Sequence, residues 1–273
     1  MSEFHNRTRR SKSLPLALLR RGHLLGLVLY YLLRRSSLAR EGLENSGSYR
    51  FADHIYRGVP SGSGRFGPWL DSRLLALPAA RSFRNRFFAA RDELAAFLCR
   101  RAGSALDVLS VPCGIPRELV EGAALAEKRG ATLERVTFHG LDLDPEVLEQ
   151  ARLFANGDGR NQFLVHQGDA LNLKSYPGPF DFVTSTGLAE FLDDEQLTEL
   201  YRAVSASLRS GGLFVTSGMR RRWLSHYWLK IAELRVHYRD RDHLKRLALD
   251  AGFRQVKARY DALGIQTILV AEK

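Results

Sequence analysis

The sequence predicts an α/β fold: a doubly wound, mostly parallel seven-stranded sheet preceded by an N-terminal helical extension. Three observations predict it. From residue 105 onward, short apolar runs alternate with stretches of helical periodicity, which is the signature of consecutive βαβ units. The last two apolar runs follow one another with no helix between them, as an antiparallel closing pair does. At 273 residues, 45% of them hydrophobic and 26% charged, the chain is long and apolar enough to bury a substantial core.

The elements follow in order. Residues 43–68 are rich in Gly and Ser around the aromatic stretch YRFADHIYRG and read as ordered loop with a short helix. Residues 80–101 place Phe83, Phe87, Phe88, Leu94, Phe97 and Leu98 at helical spacing. ALDVLSV (105–111) is the first strand and PRELVEGAALAEKRG (116–130) the first crossover helix. RVTFHGLDL (135–143) is the second strand, with a helix from Pro145 through Phe154 after it, and QFLVHQGD (162–169) is the third. FDFVTSTG (180–187) is the fourth, followed by a helix over 194–212, and GLFVTSG (212–218) is the fifth. DRDHLKRLALDAGF (240–253) carries an aspartate N-cap and a glycine C-cap around a helix. RQVKARYDA (254–262) and IQTILVAEK (265–273) close the sheet. Three segments result: a basic amphipathic stretch over 1–42, a helical and loop cap region over 43–104, and the α/β domain over 105–273.

The net charge of +11 is unevenly placed. Residues 1–40 hold nine Lys or Arg against the single acid Glu3, so +8 of the excess sits there and only +3 elsewhere. The apolar run Leu24–Leu33 is about half of the roughly twenty residues that cross a bilayer. This segment fits a basic amphipathic helix on an anionic membrane surface. A helix docked on its own domain or on a second subunit, and a removed targeting segment, are the other readings. The expected location is the cytoplasm, with peripheral attachment at the inner face of the membrane. Only two cysteines occur, Cys99 and Cys113, and His139, His166, His226 and His237 show no metal spacing, so no metal is expected. His139 and His166 read as structural residues buried in strands.

In an open parallel sheet, ligands sit beyond the carboxyl ends of the strands where the winding reverses. The first strand leads into Pro112-Cys113-Gly114-Ile115-Pro116, where Gly114 lets a ligand approach the backbone and Pro116 suits a first helical turn. The second strand ends in Asp142, placed to accept hydrogen bonds from both hydroxyls of a ribose, while Asp144 before Pro145 fills the N-cap role. The third ends in Asp169 and Ala170, placed to take a donor such as an adenine amino group.

Together these motifs resemble the class I S-adenosylmethionine-dependent methyltransferases over residues 105–273. VLSVPCGIP stands where that superfamily has V-L-D-V-G-C-G-x-G, GLDLDPEVLEQAR and GDA match its second and third motifs, and FDFVTSTGLAEFLDD and LRSGGLFVTSG match the regions of strands four and five. The resemblance implies a Rossmann-like methyltransferase sheet and S-adenosyl-L-methionine as cofactor. It places that cofactor against Ser110, Val111, Pro112, Cys113, Gly114, Asp142, Leu143, Asp169, Ala170 and Ser185. The chain departs from the pattern at Ser110, where an acid is usual, at the two prolines, and at Glu190-Phe191, where many relatives have Glu-His. No catalytic residue is assigned. More loosely, LSVPCGIPREL, STGLAEFLDD, SGSGRFGPWLDSRLL and the aromatic stretch 223–244 resemble bacterial enzymes of fatty-acid (3-hydroxypalmitate) methyl ester synthesis.

The resemblance implies a methyltransferase, and the acceptor expected is a lipid-like acid or another hydrophobic small molecule, methylated on oxygen. Glu190, Trp223, Tyr227, Trp228 and Arg239 are the expected substrate-binding residues, with Arg57 a second candidate for clamping a carboxylate. A carboxylate acceptor is already ionised at neutral pH, whereas an alkoxide or amine acceptor brings Glu190, His226 and Tyr227 forward as bases. Two other readings stand beside this one. A nucleic-acid or protein methyltransferase is disfavoured, because STGL replaces the Asn/Asp-Pro-Pro-aromatic tetrapeptide after strand four and no nucleic acid is expected as partner. A non-catalytic binding protein on the same scaffold is the other.

Overall fold

The computed structural model describes residues 15–16, 19–20, 22–44, 49–157, 163–221 and 236–273. The chain divides into two compact units, residues 1–84 with 224–234, and residues 85–223 with 235–273.

The first unit contains α1 (Leu24–Leu33), α2 (Ser37–Glu44), α3 (Tyr49–Arg57), α4 (Phe66–Leu75) and the start of α5 (Pro78–Arg100). Leu38, Ile55, Leu75 and Ala80 are buried together, with Phe51, Leu74 and Phe83 against them. A fully buried carboxylate holds the connections around that small core. Asp71 Oδ1 accepts from the Ser36 hydroxyl and the Leu38 N–H (3.0 Å), and Oδ2 from the Ser61 N–H (2.8 Å) and His54 Nε2 (2.9 Å). Four donors around one carboxylate are what a buried acid requires. α1 is amphipathic in reverse. Tyr30 is its buried residue, at 5% exposure, while Leu24, Leu25, Val28, Leu29 and Leu32 share the opposite face and are exposed, Leu25 by 83%. Among the described residues no helix is long and apolar enough to cross a membrane.

The second unit is the expected doubly wound sheet. Its strands are β1 (Leu106–Ser110), β2 (Val136–Asp142), β3 (Phe163–Gln167), β4 (Phe180–Ser185), β5 (Leu208–Met219), β6 (Gln255–Tyr260) and β7 (Gln266–Glu272). They lie in the order β3-β2-β1-β4-β5-β7-β6, with β1 to β5 parallel and β7 antiparallel to both its neighbours. The crossover helices are α6 (Arg117–Lys128), α7 (Pro145–Asn156), α8 (Asp194–Ser207) and α9 (Arg241–Asp250). Alternation along the strands splits the core into two layers. Leu109, Leu141, Val183, Phe214 and Leu269 face Leu197, Leu200 and Tyr201 of α8 and Leu244 of α9. Val108, Phe138, Phe182 and Val215 face Leu94, Phe97 and Leu98 of α5, Leu119 of α6 and Leu148 of α7.

The caps form as their sequences predict. Asp144 accepts from Glu146 N–H (2.9 Å) and Asp240 from His243 N–H (2.8 Å), while Asp193 and Gln196 make a reciprocal capping box on α8. Two boundaries differ from the sequence reading. The sequence predicts that α8 runs to residue 212, yet β5 begins at Leu208, because Leu208 pairs with Phe180 ahead of a register irregularity. Pro116 lies one residue before α6 rather than in its first turn.

At β1, β2 and β3 a polar cluster crosses the sheet. His139 Nδ1 lies 3.0 Å from His166 Nε2, with the rings stacked, and His139 Nε2 lies 3.3 Å from Asp107, which Arg209 bridges at 2.8 Å and links to Asp181. Burial lowers the pKa of both histidines, His166 being further lowered by the charge of His139 and His139 pulled partly back by Asp107. The unfolded chain therefore binds protons more readily than the folded one. Stability is full above the ordinary histidine range and falls as pH drops below about 6.5. Urea unfolding at about pH 7.5 and 5.5 should show this loss, and His166→Gln should reduce it by about 1 kcal/mol at most, since His166 is partly solvated.

Candidate functional site

The carboxyl ends of β1, β2 and β4 meet at the point where the chain winds outward in both directions. Past the end of β1 the backbone stays tied to both neighbours. Val111 N–H donates to the Thr184 carbonyl (2.9 Å) on the β4 side, and Cys113 N–H to the Leu141 carbonyl (2.9 Å) on the β2 side. The loop can lie this close to β2 because position 140 is glycine. A Cβ there would stand 3.1 Å from the side chain of Cys113 and 2.7 Å from Phe163. Gly114 has φ +48°, in the left-handed region that favours glycine.

Gly114 N–H then donates to Asp142 Oδ2 at 3.2 Å, while Asp142 Oδ1 accepts from Asp144 N–H at 3.2 Å. Burial raises the Asp142 carboxyl from its ordinary value, and the N–H groups of Asp144, Gly114 and Leu143 counter that rise. Leu143 beside it is an apolar side chain 54% exposed. Asp169 is exposed; its Oδ1 accepts from Leu171 N–H (3.0 Å), and the Ala170 carbonyl accepts from the Tyr176 hydroxyl (2.7 Å). At the root of the loop, Ser110 is buried and donates to Glu118 Oε1 at 2.6 Å. Ser185, at the end of β4, is buried with its hydroxyl unpartnered among the described residues, and its carbonyl accepts from Thr216 Oγ1 (2.7 Å).

Beyond β4 the charges are engaged with one another. Glu190 is buried, and its Oε1 accepts from Arg86 Nη1 of α5 at 2.5 Å, while its Oε2 has no partner among the described residues. Arg239 is not turned outward as a clamp. Nη1 and Nη2 donate to the carbonyls of Ala189 and Leu192, and Nε to Asp194, each at 2.7 Å, so the guanidinium straps the loop between β4 and α8. Arg57 is exposed at the end of α3 in the first unit. Trp223, Tyr227 and Trp228 lie outside the described residues, as does His226. Among the described residues no cluster of three or more His, Cys, Asp or Glu is placed to hold a metal.

Sequence reasoning missed Arg86 and Glu118. Arg86 had a signal: it falls on the same helical stripe as Phe83, Phe87, Ala90 and Leu94, where a cation must find a buried partner. Glu118 carries no such signal, since an acid in the first turn of a helix is ordinary.

The methyltransferase domain family matches residues 108–212. No curated protein matches the chain. Among solved structures, a protein from Bordetella parapertussis described as a "possible exported protein" is 26% identical, with a TM-score of 0.73 over 90% of this chain and 86% of that one. Magnesium protoporphyrin IX methyltransferase from Synechocystis PCC 6803, with bound S-adenosylhomocysteine, is 16% identical, with a TM-score of 0.55 over 81% of this chain and 93% of that one. An O-methyltransferase family protein from Burkholderia thailandensis is also 16% identical, with a TM-score of 0.52 over 74% and 62%. These last two likenesses are of fold.

The chain thus carries a class I methyltransferase domain that uses S-adenosylmethionine. The site's residues fit that cofactor. Asp142 would offer its carboxylate oxygens to a ribose diol and Leu143 its exposed apolar side chain to a purine, beside Gly114 with its left-handed backbone. Asp142→Ala should lower affinity for S-adenosylhomocysteine at least tenfold, the loss of charge-assisted hydrogen bonds being about 1.5–3 kcal/mol. Gly114→Val should abolish binding in a folded protein. Calorimetry on both variants checks the assignment, and unchanged affinity in either would refute it.

Proposed function

We propose that this S-adenosylmethionine-dependent methyltransferase methylates an oxygen of a lipid-like acid or another hydrophobic small molecule, and does so at an anionic membrane surface as a peripheral cytoplasmic protein. The observation that carries the acceptor reading is the state of the acids after β4. Glu190 is paired with Arg86, Asp193 caps α8, and Asp194 holds Arg239 and His243. An acceptor that is itself ionised needs none of them as a base. Its negative charge meets the positive sulfonium in a site that excludes water, and alignment of the two supplies the rest of the rate. We assign the apolar part of the acceptor to Trp223, Tyr227 and Trp228, against which each buried methylene contributes about 0.8 kcal/mol.

The free Oε2 of Glu190 favours a second reading, in which the acceptor is a hydroxyl and this oxygen takes its proton. With labelled cofactor, hexadecanoic acid and its shorter homologues should yield methyl esters. The rate should change little between about pH 6.5 and 8.5, because a carboxylic acid titrates well below that range. Trp228→Ala should weaken the long acids far more than the short ones. Turnover of hexadecanol with none of the acid would overturn the first reading in favour of the second.

The membrane reading is supported by α1. Its exposed Leu24, Leu25, Val28, Leu29 and Leu32 form one apolar face, with Arg20 before the helix and Arg34 and Arg35 after it, all exposed. Such a face gains by burial at the acyl boundary, and each cation near an anionic surface adds about 1 kcal/mol. The protein should sediment with vesicles of phosphatidylglycerol and phosphatidylcholine, less so in high salt. Leu25→Asp with Leu29→Asp should remove that binding while leaving affinity for S-adenosylhomocysteine unchanged. Equal sedimentation of the double variant would refute the reading, and so would release of a dimer to monomer with no lipid binding by either protein.

A further inference from the structure

We propose that the face of the sheet beneath Asn85 and Arg86 of α5 binds a neutral amide group of the acceptor, through Thr184, Ser217 and Gln266. The inference rests on the acceptor being an apolar acid. Among the described residues, seven carry buried side-chain oxygens or nitrogens without a hydrogen-bond partner. Five of the seven stand together: Thr184 and Ser185 end β4, Ser217 lies near the end of β5, and Gln266 and Thr267 begin β7. A sixth, Glu190, follows β4. Native interiors hold few such groups and each one costs stability, so their collection at one corner points to a ligand.

Strand alternation separates the five by face. Thr184 shares the side of Phe182 and Ser217 that of Val215, in the layer that α5 covers, and Gln266 lies opposite Met219 on that side. α5 reaches both ends of this row. Asn85 donates to Asp261 (2.9 Å), whose other oxygen accepts from Gln266 N–H (2.9 Å). Arg86 Nη1 donates to Glu190 at 2.5 Å, and its Nη2 lies 2.8 Å from where a Cβ on Gly187 would stand. Thr184 adjoins the cofactor loop, since its carbonyl accepts from Val111 N–H (2.9 Å). The row thus leads from that loop across β4, β5 and β7 to Gln266.

The chemistry of the row selects its ligand. Glu190 and Arg86 balance one another in charge, while the two hydroxyls and the amide are neutral. A charged group here would be buried without a counter-ion. Gln266 leaves both its carbonyl and its amino group unpaired, and each hydroxyl can donate or accept. A hydroxyl ligand meets such partners from a single atom. An amide donates at nitrogen and accepts at oxygen on opposite sides, which suits partners spread over strands about 4.8 Å apart. An acylated amino acid carries all three parts: a carboxylate to be methylated, an amide for the row, and an apolar chain.

The test uses the full chain, labelled S-adenosylmethionine and three acids of similar length. These are N-tetradecanoylglycine, hexadecanoic acid and 2-hydroxyhexadecanoic acid. Wild-type kcat/KM should be at least tenfold higher for the acylglycine than for hexadecanoic acid, because a ligand without the amide leaves the buried groups unpaired. Gln266→Leu should bring those two acids within about twofold of each other, and Ser217→Ala should shrink the preference a few-fold. Both variants should bind S-adenosylhomocysteine within twofold of wild type. Both should unfold at no lower urea concentration, since each removes an unpaired buried polar group. Equal use of the acylglycine and hexadecanoic acid by the wild-type protein would overturn the proposal, and needs no variant to fold. An acylglycine preference left intact in both variants would place its origin elsewhere, and a stronger preference for the hydroxy acid would assign the row to a hydroxyl instead. Methylation of none of the three acids would overturn the acceptor reading itself, and this inference with it.

Discussion

The site depends on one constraint: β1 must continue to be held on both sides after its strand has ended. Two backbone hydrogen bonds do this, from Val111 to the end of β4 and from Cys113 to the end of β2. They exist because β1 lies between strands on which the winding runs in opposite directions, so the crevice between the diverging connections opens above it. Once the loop is held there, Gly114 presents its N–H to Asp142 and α6 begins where Glu118 returns to Ser110. Gly140 is part of the same constraint, since a side chain on β2 would push Cys113 away.

Three buried acids meet the cost of burial in three different ways, and the difference is informative. Asp71 is surrounded by four donors, two from the start of α2, one from α3 and one from the connection after it, which suits a role in holding the first unit together. Glu190 has a guanidinium on one oxygen and, among the described residues, nothing on the other, so there it is compensated in charge but not fully in hydrogen bonding. Glu118 has the Ser110 hydroxyl, its own N–H and the nearby charge of Arg117, and burial raises its pKa despite all three. A buried group left short of partners in a folded protein marks a place where local stability has been given up, and such places are where ligands and chemistry are found.

The layout of the second unit was legible in the sequence because it follows from periodicity and caps. The strand alternation that separates Val108 from Leu109, or Phe182 from Val183, is visible in the order of residues. So are Asp144, Asp193 and Asp240 before their helices. The start of β5 was not legible, because Leu208 is fixed by a partner on β4 and not by its own neighbours. The same limit hid the pairing of Arg86 with Glu190, which are 104 residues apart, and the use of Arg239 as an internal strap. An arginine near a site looks the same in sequence whether it faces a ligand or three carbonyl and carboxylate oxygens of its own chain. Which of these it does is decided by the loop it lies against.

The reversed pattern of α1 argues from the same logic at the surface. A helix stabilised by its own unit buries leucines and exposes its polar positions. Here Tyr30 is inside while Leu24, Leu25, Val28, Leu29 and Leu32 are outside together with Tyr31, with no acid anywhere in the helix and arginines at both ends. Helix propensity explains why LLGLVLYYLL is helical but says nothing about which face it shows to water. Exposing five large aliphatic side chains on one face is unfavourable in water, and placing a cation at each end gains nothing from an apolar protein partner. Both features become favourable together at a boundary that is apolar on one side and negatively charged on the other. An apolar acceptor would gather at that same boundary.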